Sequence, residues 1–453
     1  MTATNGSPMK RVAFHTLGCK LNFAESASLG KQLIRDGYRA VSIDDPADLV
    51  VINTCSVTEN ADRECRQIIR RALRRSPDAF VAVVGCYAQL HPEEVAGIHG
   101  VDLVLGSESK FDLASHLRGL NARGVPKIAV DAPVRPVHAV AASSSGFGDR
   151  TRAFLKVQDG CDYRCSFCTI PLARGNSRSV PPDLVVGEAR AIASEGYKEI
   201  VLTGVNVGDY GRSDGTNLLA LLQSLVGVEG IERIRISSIE PNLLSASLLD
   251  FWFAEDKLCK HWHIPLQSGS DRTLRAMRRR YATEQYLRIV SRIRDAFPDA
   301  GIGADVIVGF PGETQRDFDD TYTFIADAAI SYLHVFSYSE RPDTAAESMS
   351  NPVPPPLRAE RSERLRSLGA RKRRSFHARL LNKVVNVLFE SPRAVGVMTG
   401  LTGEYARVDV AAESDLTNQI LSVKIHRYDA ERCEGVLMAM TEQTVDQELM
   451  VPE

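Results

Sequence analysis

A chain of 453 residues with 44% hydrophobic and 25% charged residues has the composition of a soluble globular protein and, at roughly 100–200 residues per domain, suggests two to four domains. No apolar run reaches the ~18 residues that cross a bilayer, and the opening MTATNGSPMK carries no apolar signal segment, so a cytoplasmic protein is expected. The formal charge of −2 averages unlike segments, because Arg358 to Lys383 holds ten Lys or Arg against two acids, a local +8 that leaves −10 elsewhere. Such asymmetry points to a polyanionic partner. Nine cysteines in a reducing compartment favour metal ligands or buried thiols over disulfides.

Residues 11 to about 120 alternate short apolar runs with helical patterns. VAFHT, LVVINT, FVAVVG and VDLVLG read as buried parallel strands, and Ala24 to Arg35 and Thr58 to Arg75 as helices. The pattern predicts a doubly wound α/β domain over residues 1–120. Cys19 in TLGCKLN, Cys55 in NTCSVTEN and Cys86 in VVGCYAQ each directly follow a strand. Open parallel sheets bind ligands beyond the carboxyl ends of their strands, so three loops can bring three sulfurs together. Singly, each cysteine reads as a small buried residue; their repetition at one topological position, beside Gly18 and Gly85, favours a metal site. Cys65 lies inside the helix ADRECRQIIRRALRR and reads as a structural thiol.

Residues 121–150, rich in Ala, Pro, Ser and Gly, read as a linker or strap. Over residues 151–356 the runs AFLKVQ, EIVLTG, RIRISS, HWHIPL, GADVIVGF and YLHVFSY alternate with helical patterns, which predicts a parallel barrel or partial barrel with its site at the carboxyl ends of the strands. The first of these ends carries GCDYRCSFCTI, with Cys161, Cys165 and Cys168. A cubane usually takes four thiolates, so three thiols leave one coordination position open for a substrate or cofactor, as catalytic zinc sites do. A closed zinc site would need a fourth ligand nearby, and no Cys or His follows Cys168 until Cys259. The other strand ends offer Thr203, Gly204 and Asn206, then Glu240, then Gln267 within HIPLQSGS, then GFPGE at Gly309 to Glu313. NPVPPP closes the domain. A basic helix spans 357–383, with Arg371, Lys372, Arg373 and Arg374 as candidate nucleic-acid contacts, and five short β runs over 384–453 suggest a small antiparallel barrel of the oligonucleotide-binding kind.

The stretch Cys-x-x-x-Cys-x-aromatic-Cys, with Phe167 before the last cysteine, resembles the signature of the radical S-adenosylmethionine (SAM) enzymes. Together with TLGCKLN, NTCSVTENADR, VVGCYAQ, ARGNSRS and HIPLQSGSD, it makes nearly the whole chain resemble the radical-SAM methylthiotransferases, the last part being similar to their TRAM domain. The resemblance implies a 4Fe-4S cluster at Cys161, Cys165 and Cys168 whose open iron binds SAM, and an auxiliary 4Fe-4S cluster at Cys19, Cys55 and Cys86. It implies that one SAM methylates a sulfur and another is cleaved to a radical that activates an inert C–H bond. Phe167, Thr203, Gly204, Asn206, Glu240 and Gln267 fall where cofactor contacts are expected. Thr203-Gly204-Val205 stands where the superfamily often has Gly-Gly-Glu, which leaves the amino-group contact open, and Glu240 faces SAM or the substrate base. RGNSRS, YKEIVLTGVNVGDYG and RISSIEP resemble the branch acting on N6-threonylcarbamoyladenosine next to the tRNA anticodon. The alternatives are isopentenyladenosine in tRNA, an aspartate of a ribosomal protein, and an RNA-binding protein whose clusters are structural. The expected partners are tRNA, an electron donor such as flavodoxin or ferredoxin, and a sulfur donor.

Overall fold

The computed structural model describes residues 9–56, 59–118, 126–131, 142–145 and 151–438. Strands β1 (Arg11–Thr16), β2 (Arg39–Val41), β3 (Leu49–Thr54), β4 (Phe80–Gly85), β5 (Leu103–Leu105) and β6 (Lys127–Ala129) form one parallel sheet in the order β2-β1-β3-β4-β5-β6. Every residue of β3 is buried, as parallel strands covered on both faces must be. Its side chains alternate between two cores. Val50 and Ile52 pack with Ile68, Ile69 and Ala72 of the helix Glu59–Arg75, whereas Leu49 and Val51 pack with Leu29 and Leu33 of the helix Lys20–Arg35. The expected doubly wound domain is present. The loops bearing Cys19, Cys55 and Cys86 leave the carboxyl ends of β1, β3 and β4, which are neighbours in the sheet.

Of the segment read as a linker, residues 127–129 form β6 and Ala142–Ser143 form β7, which pairs antiparallel with β8 (Arg152–Lys156). Most of the rest of 121–150 lies outside the described residues, as do Val57 and Thr58 of the second cysteine motif. Strands β9 (Gln158–Asp159) and β10 (Arg178–Ser179) pair antiparallel and frame the Cys161 loop. The barrel strands continue as β11 (Glu199–Thr203), β12 (Arg233–Ile236), β13 (His261–His263), β14 (Gly301–Val308) and β15 (Tyr332–Ser337). They form two sheets, β12-β11-β8-β7 and β13-β14-β15, which meet where the Ile239 N–H donates to the His263 carbonyl at 3.1 Å. The barrel is therefore partial. On the outer side of β8, Ala24 of the helix Lys20–Arg35 packs against Ala142, Phe154 and Val201.

The helix Pro355–Ala378 starts inside NPVPPP, a position proline tolerates because the first-turn N–H groups have no intrahelical partner. It ties two cores together: Leu365 and Leu368 join the barrel core, and Phe376 joins that of the last domain. That domain is a closed barrel of β16 (Val384–Phe389), β17 (Val397–Thr402), β18 (Arg407–Ala411), β19 (Ile420–Tyr428) and β20 (Cys433–Leu437), ordered β16-β17-β18-β20-β19. The expected β run GVLMAM ends outside the described residues. An odd number of strands cannot alternate in direction around a closed ring, so one pairing must be parallel, and it is β18 with β20.

This small barrel seats on the amino ends of the large barrel's strands. Tyr405 stacks on His261 with ring centroids 4.4 Å apart, Arg235 donates to the carbonyls of Thr402 and Gly403 at 3.1 and 3.0 Å, and Arg152 pairs with Glu390 at 2.9 Å. It closes the floor opposite the mouth where the Cys161 loop sits.

Candidate active site

The Cys161 loop is held by its own backbone. The Cys168 N–H donates to the Cys165 carbonyl at 3.1 Å, and the Cys161 N–H to the Gly175 carbonyl at 3.1 Å. Donors point at the sulfurs: the Tyr163 N–H lies 3.4 Å from Cys161 Sγ and Arg279 Nη1 3.0 Å from Cys165 Sγ. Arg279 also pairs with Glu240, so Glu240 sits at the edge of this thiol site. Burial, reinforced by the neighbouring thiols, pushes Cys161 up to about 11 and Cys168 up to about 12. As bare thiols they stay protonated at neutral pH; a bound metal deprotonates a coordinating thiol.

The second trio lies on three loops at one edge of the amino-terminal sheet. Gly18 has φ +93°, and a Cβ there would lie 2.6 Å from Cys55 Cβ and 2.8 Å from its Sγ, so only glycine lets the Cys19 loop cross against Cys55. Gly85 is likewise left-handed, at φ +100°, and turns the chain into the short helix Cys86–Leu90. Cys55 and Cys86 are buried and Cys19 is accessible, yet protein crowds Cys19 and pushes its thiol up, with Arg174 opposing and Cys86 adding to the shift. Arg174 Nε lies 3.3 Å from Cys86 Sγ. Cys65 is buried in the core beneath this sheet, beside Ile68 and Ile69, and is not one of the trio.

The two sites abut. Thr169, next to Cys168, donates its hydroxyl to the carbonyl of Ser56, next to Cys55, at 3.4 Å. Beside them opens a cavity of about 240 Å³ lined by Phe167, Cys168, Thr169, Gln267, Asp305, Ile307, Phe336 and Tyr338. Gln267 reaches it from a left-handed turn at φ 63°. Asp305 accepts from His263 Nε2 at 2.9 Å, His263 Nδ1 meets Ser238 Oγ at 2.9 Å, and His334 Nδ1 stands 3.7 Å from Asp305. Burial opposes the Asp305 charge, but the His263 hydrogen bond and both imidazoles hold its carboxyl below the usual range.

Thr203, Gly204, Asn206 and Glu240 do not line this cavity; they cluster nearer the Cys161 side. Asn206 donates its backbone N–H to Gln158 Oε1 at 2.8 Å, and a Cβ on Gly204 would meet that same oxygen at 2.9 Å. Thr203 Oγ1 and both amide atoms of the Asn206 side chain are buried without a hydrogen-bond partner, as expected of groups awaiting a polar ligand. The basic quartet is divided. Arg371 donates to the Tyr322 hydroxyl at 2.8 Å, Arg373 lies over the Tyr332 ring and Arg374 over Tyr428. Lys372 instead turns inward and donates to the carbonyls of Ala326 and Ala328 at 2.9 and 2.8 Å, where burial lowers it to about 8. A different basic group, Arg63, Arg358 and Arg366, lines a cleft of about 500 Å³ that shares Phe336 to Ser339 with the cavity.

The radical SAM superfamily matches residues 155–325, and the uncharacterized protein family UPF0004 matches residues 11–106. The threonylcarbamoyladenosine tRNA methylthiotransferase MtaB of Bacillus subtilis is 37% identical over 97% of this chain and 99% of its own length. The protein of the same name from Aquifex aeolicus is 41% identical over 83% of this chain and 92% of its own. The chain belongs to the radical-SAM methylthiotransferase family. The tRNA-2-methylthio-N(6)-dimethylallyladenosine synthase of Acetivibrio thermocellus is 32% identical over 95% of this chain and 91% of its own. Among solved structures, the radical SAM methyltransferase TsrM of Kitasatospora setae superposes with a TM-score of 0.55 at 16% identity, covering 79% of this chain and 83% of that one, which shows a shared fold.

Family membership makes SAM and a 4Fe-4S cluster cofactors of this chain, and the residues of the Cys161 loop could hold them: three thiols without a disulfide, donors aimed at two of the sulfurs, and unpartnered polar atoms beside them. Two residues escape the sequence, one at a sulfur of each trio: Arg174 at Cys86, inside the motif ARGNSRS, and Arg279 at Cys165, in an arginine run with no visible signal. Asp305, His263 and His334 carried only the faint signal of polar residues on otherwise apolar strands.

Proposed function

We propose that this chain adds a methylthio group to C2 of N6-threonylcarbamoyladenosine next to the anticodon in tRNA, holding one 4Fe-4S cluster with SAM at Cys161, Cys165 and Cys168 and a second 4Fe-4S cluster at Cys19, Cys55 and Cys86. The observation that carries this reading is the contact of the two thiol sites through Thr169 and Ser56, beside a cavity that Cys168 and Thr169 line. A radical source with no sulfur site beside it would have no methylthio group to deliver. The substrate follows the name carried by the relatives from Bacillus subtilis and Aquifex aeolicus.

When bound, SAM and the clusters supply the radical and the sulfur; the chain binds, orients and excludes water. The Arg279 and Arg174 guanidiniums donate to the sulfurs of Cys165 and Cys86. Thr203 and Asn206 offer their unpartnered atoms to the polar groups of SAM, with Glu240 fixed beside them by Arg279. The cavity, at about 240 Å³, is below the ~300–1,000 Å³ of drug-sized pockets. It admits one unstacked base, which an anticodon loop can splay out. Phe167, Phe336 and Tyr338 form apolar walls for that base, and the Asp305 carboxylate, steadied by His263, accepts N–H or O–H groups of its side chain. Arg63 and Arg366 at the mouth, and Arg371, Arg373 and Arg374 farther down, offer charge to phosphates, which makes binding salt-dependent. Lys372, spent on two carbonyls, leaves this set. A flavodoxin or ferredoxin as electron donor, a separate sulfur donor and a cytoplasmic setting complete the proposal.

The test is nucleoside mass spectrometry of tRNA from cells lacking this protein. Loss of methylthio-threonylcarbamoyladenosine, restored by the wild-type chain and not by Cys165→Ala, is expected. Loss of methylthio-isopentenyladenosine instead would move the chain to the other tRNA branch, and no change in either nucleoside would reject both.

A further inference from the structure

Arg174 lies six positions beyond Cys168, at the end of the helix Ile170–Arg174, yet its side chain crosses into the other domain. All five guanidinium N–H groups have a partner. Nε donates to Cys86 Sγ at 3.3 Å; Nη1 to Glu25 and Asp159, both at 3.0 Å; Nη2 to Asn22 at 2.7 Å and Glu25 at 3.1 Å. The side chain is 1% exposed and has no freedom to turn. Around it, Lys110 and Lys156 also reach Glu25, Lys156 reaches Asp159, and Arg178 pairs with Glu108 and Asp159.

This group, buried except for the partly exposed Glu108, holds four cations, Lys110, Lys156, Arg174 and Arg178, against three carboxylates, Glu25, Asp159 and Glu108. An uncompensated buried charge is costly, and the surplus cation faces Cys86. An oxidised cubane held by three thiolates carries about one net negative charge, which balances the surplus; a neutral thiol does not. The two lysines alone could tie Glu25 and Asp159, so domain docking does not account for a guanidinium whose Nε serves neither carboxylate.

We infer that Arg174 is the counter-charge of the auxiliary cluster, a positioning residue whose N–H to Cys86 Sγ raises that cluster's reduction potential and slows its loss of iron. This rests on the second-cluster reading above. Hydrogen bonds to cluster sulfurs and net charge set such potentials, so removing the donor and the charge disfavours the more negative, reduced state.

The test uses the full chain carrying Cys161→Ala, Cys165→Ala and Cys168→Ala, reconstituted anaerobically so that any cluster left is the auxiliary one. Into it go Arg174→Lys, Arg174→Gln, and Arg174→Gln paired with Glu25→Gln, which removes one charge of each sign, leaves the net charge of the network unchanged and takes away the cation at Cys86. The readouts are the midpoint potential from a redox titration followed by electron paramagnetic resonance, and the rate of iron release to a chelator. Both Gln variants are expected to titrate at more negative potential and to release iron about tenfold faster, in the range seen when groups supporting metal ligands are removed. Arg174→Lys, which keeps the charge and loses the Nε donor, falls between. A double variant with native circular dichroism whose potential and release rate match the parent would overturn the counter-charge role, and, if neither Gln variant folds, an Arg174→Lys variant identical to the parent would overturn the role of the N–H to Cys86 Sγ. A parent that binds no iron before Arg174 is changed would instead overturn the second-cluster reading.

Discussion

The two three-cysteine sites share a plan and differ in their surroundings. Each has an arginine from a distant part of the chain on one sulfur: Arg279 on Cys165, and Arg174 on Cys86. Around Cys161, Cys165 and Cys168 the setting is open, with a base-sized cavity, unpartnered Thr203 and Asn206 atoms, and Glu240 paired with Arg279. Around Cys86 it is walled by a network of seven charges, six of them buried. A site that must exchange SAM and substrate at every turnover needs access; a site that keeps its cluster needs a fixed electrostatic wall. Under the proposed function, turnover falls to one trio and retention to the other.

Removing either trio should have the largest effect. The intact protein should bind about eight irons, as two cubanes require, and Cys19→Ala with Cys55→Ala and Cys86→Ala should leave about four. Iron and sulfide analysis after anaerobic reconstitution checks this, and an undiminished count would dissolve the comparison.

Next comes the seal. Glu25→Ala strips the shared carboxylate from Lys110, Lys156 and Arg174, and breaking a buried pair in this way costs about 3–5 kcal/mol. Chemical denaturation of the apo protein should show that loss. The exposed pair Arg288–Glu284 is the control, where Glu284→Ala should cost under about 1 kcal/mol.

Metal loading at the open site should depend on pH. Burial raises Cys161 to about 11 and Cys168 to about 12, so the thiolate fraction of each grows about tenfold per pH unit below those values. Iron binding must displace these protons. The initial rate of reconstitution, in a variant lacking the other trio, should therefore rise from pH 7 to pH 8.5. A flat or falling profile would place the loading step elsewhere.

The smallest effect belongs to Cys65. It is buried in the core and outside both trios, so Cys65→Ala should cost about 1 kcal/mol, as small core truncations do, and leave the iron count unchanged.

The cysteines were legible because topology places them: a residue directly after a parallel strand reaches the sheet's carboxyl edge whatever the details of packing. The six barrel strands were legible for a related reason, since buried parallel strands are near-continuous apolar runs. Arg174 was not, because its meaning depends on Cys86, which is 88 positions away, and no local pattern records that contact. Lys372 misled for the opposite reason. The run RKRR announces charge, but the helix turns Lys372 toward the end of another helix, where it serves carbonyls. The seating of the small barrel was invisible as well, since Tyr405 on His261 is a contact between single residues of two domains.

The division of labour between the two trios is tested most directly by assaying one cysteine variant from each, with 5′-deoxyadenosine and methylthio nucleoside measured in the same reaction on a threonylcarbamoyladenosine-bearing tRNA. Cys86→Ala should still form 5′-deoxyadenosine and make no methylthio product, whereas Cys165→Ala should form neither. Methylthio product from Cys86→Ala, or 5′-deoxyadenosine from Cys165→Ala, would contradict the assignment of the two sites.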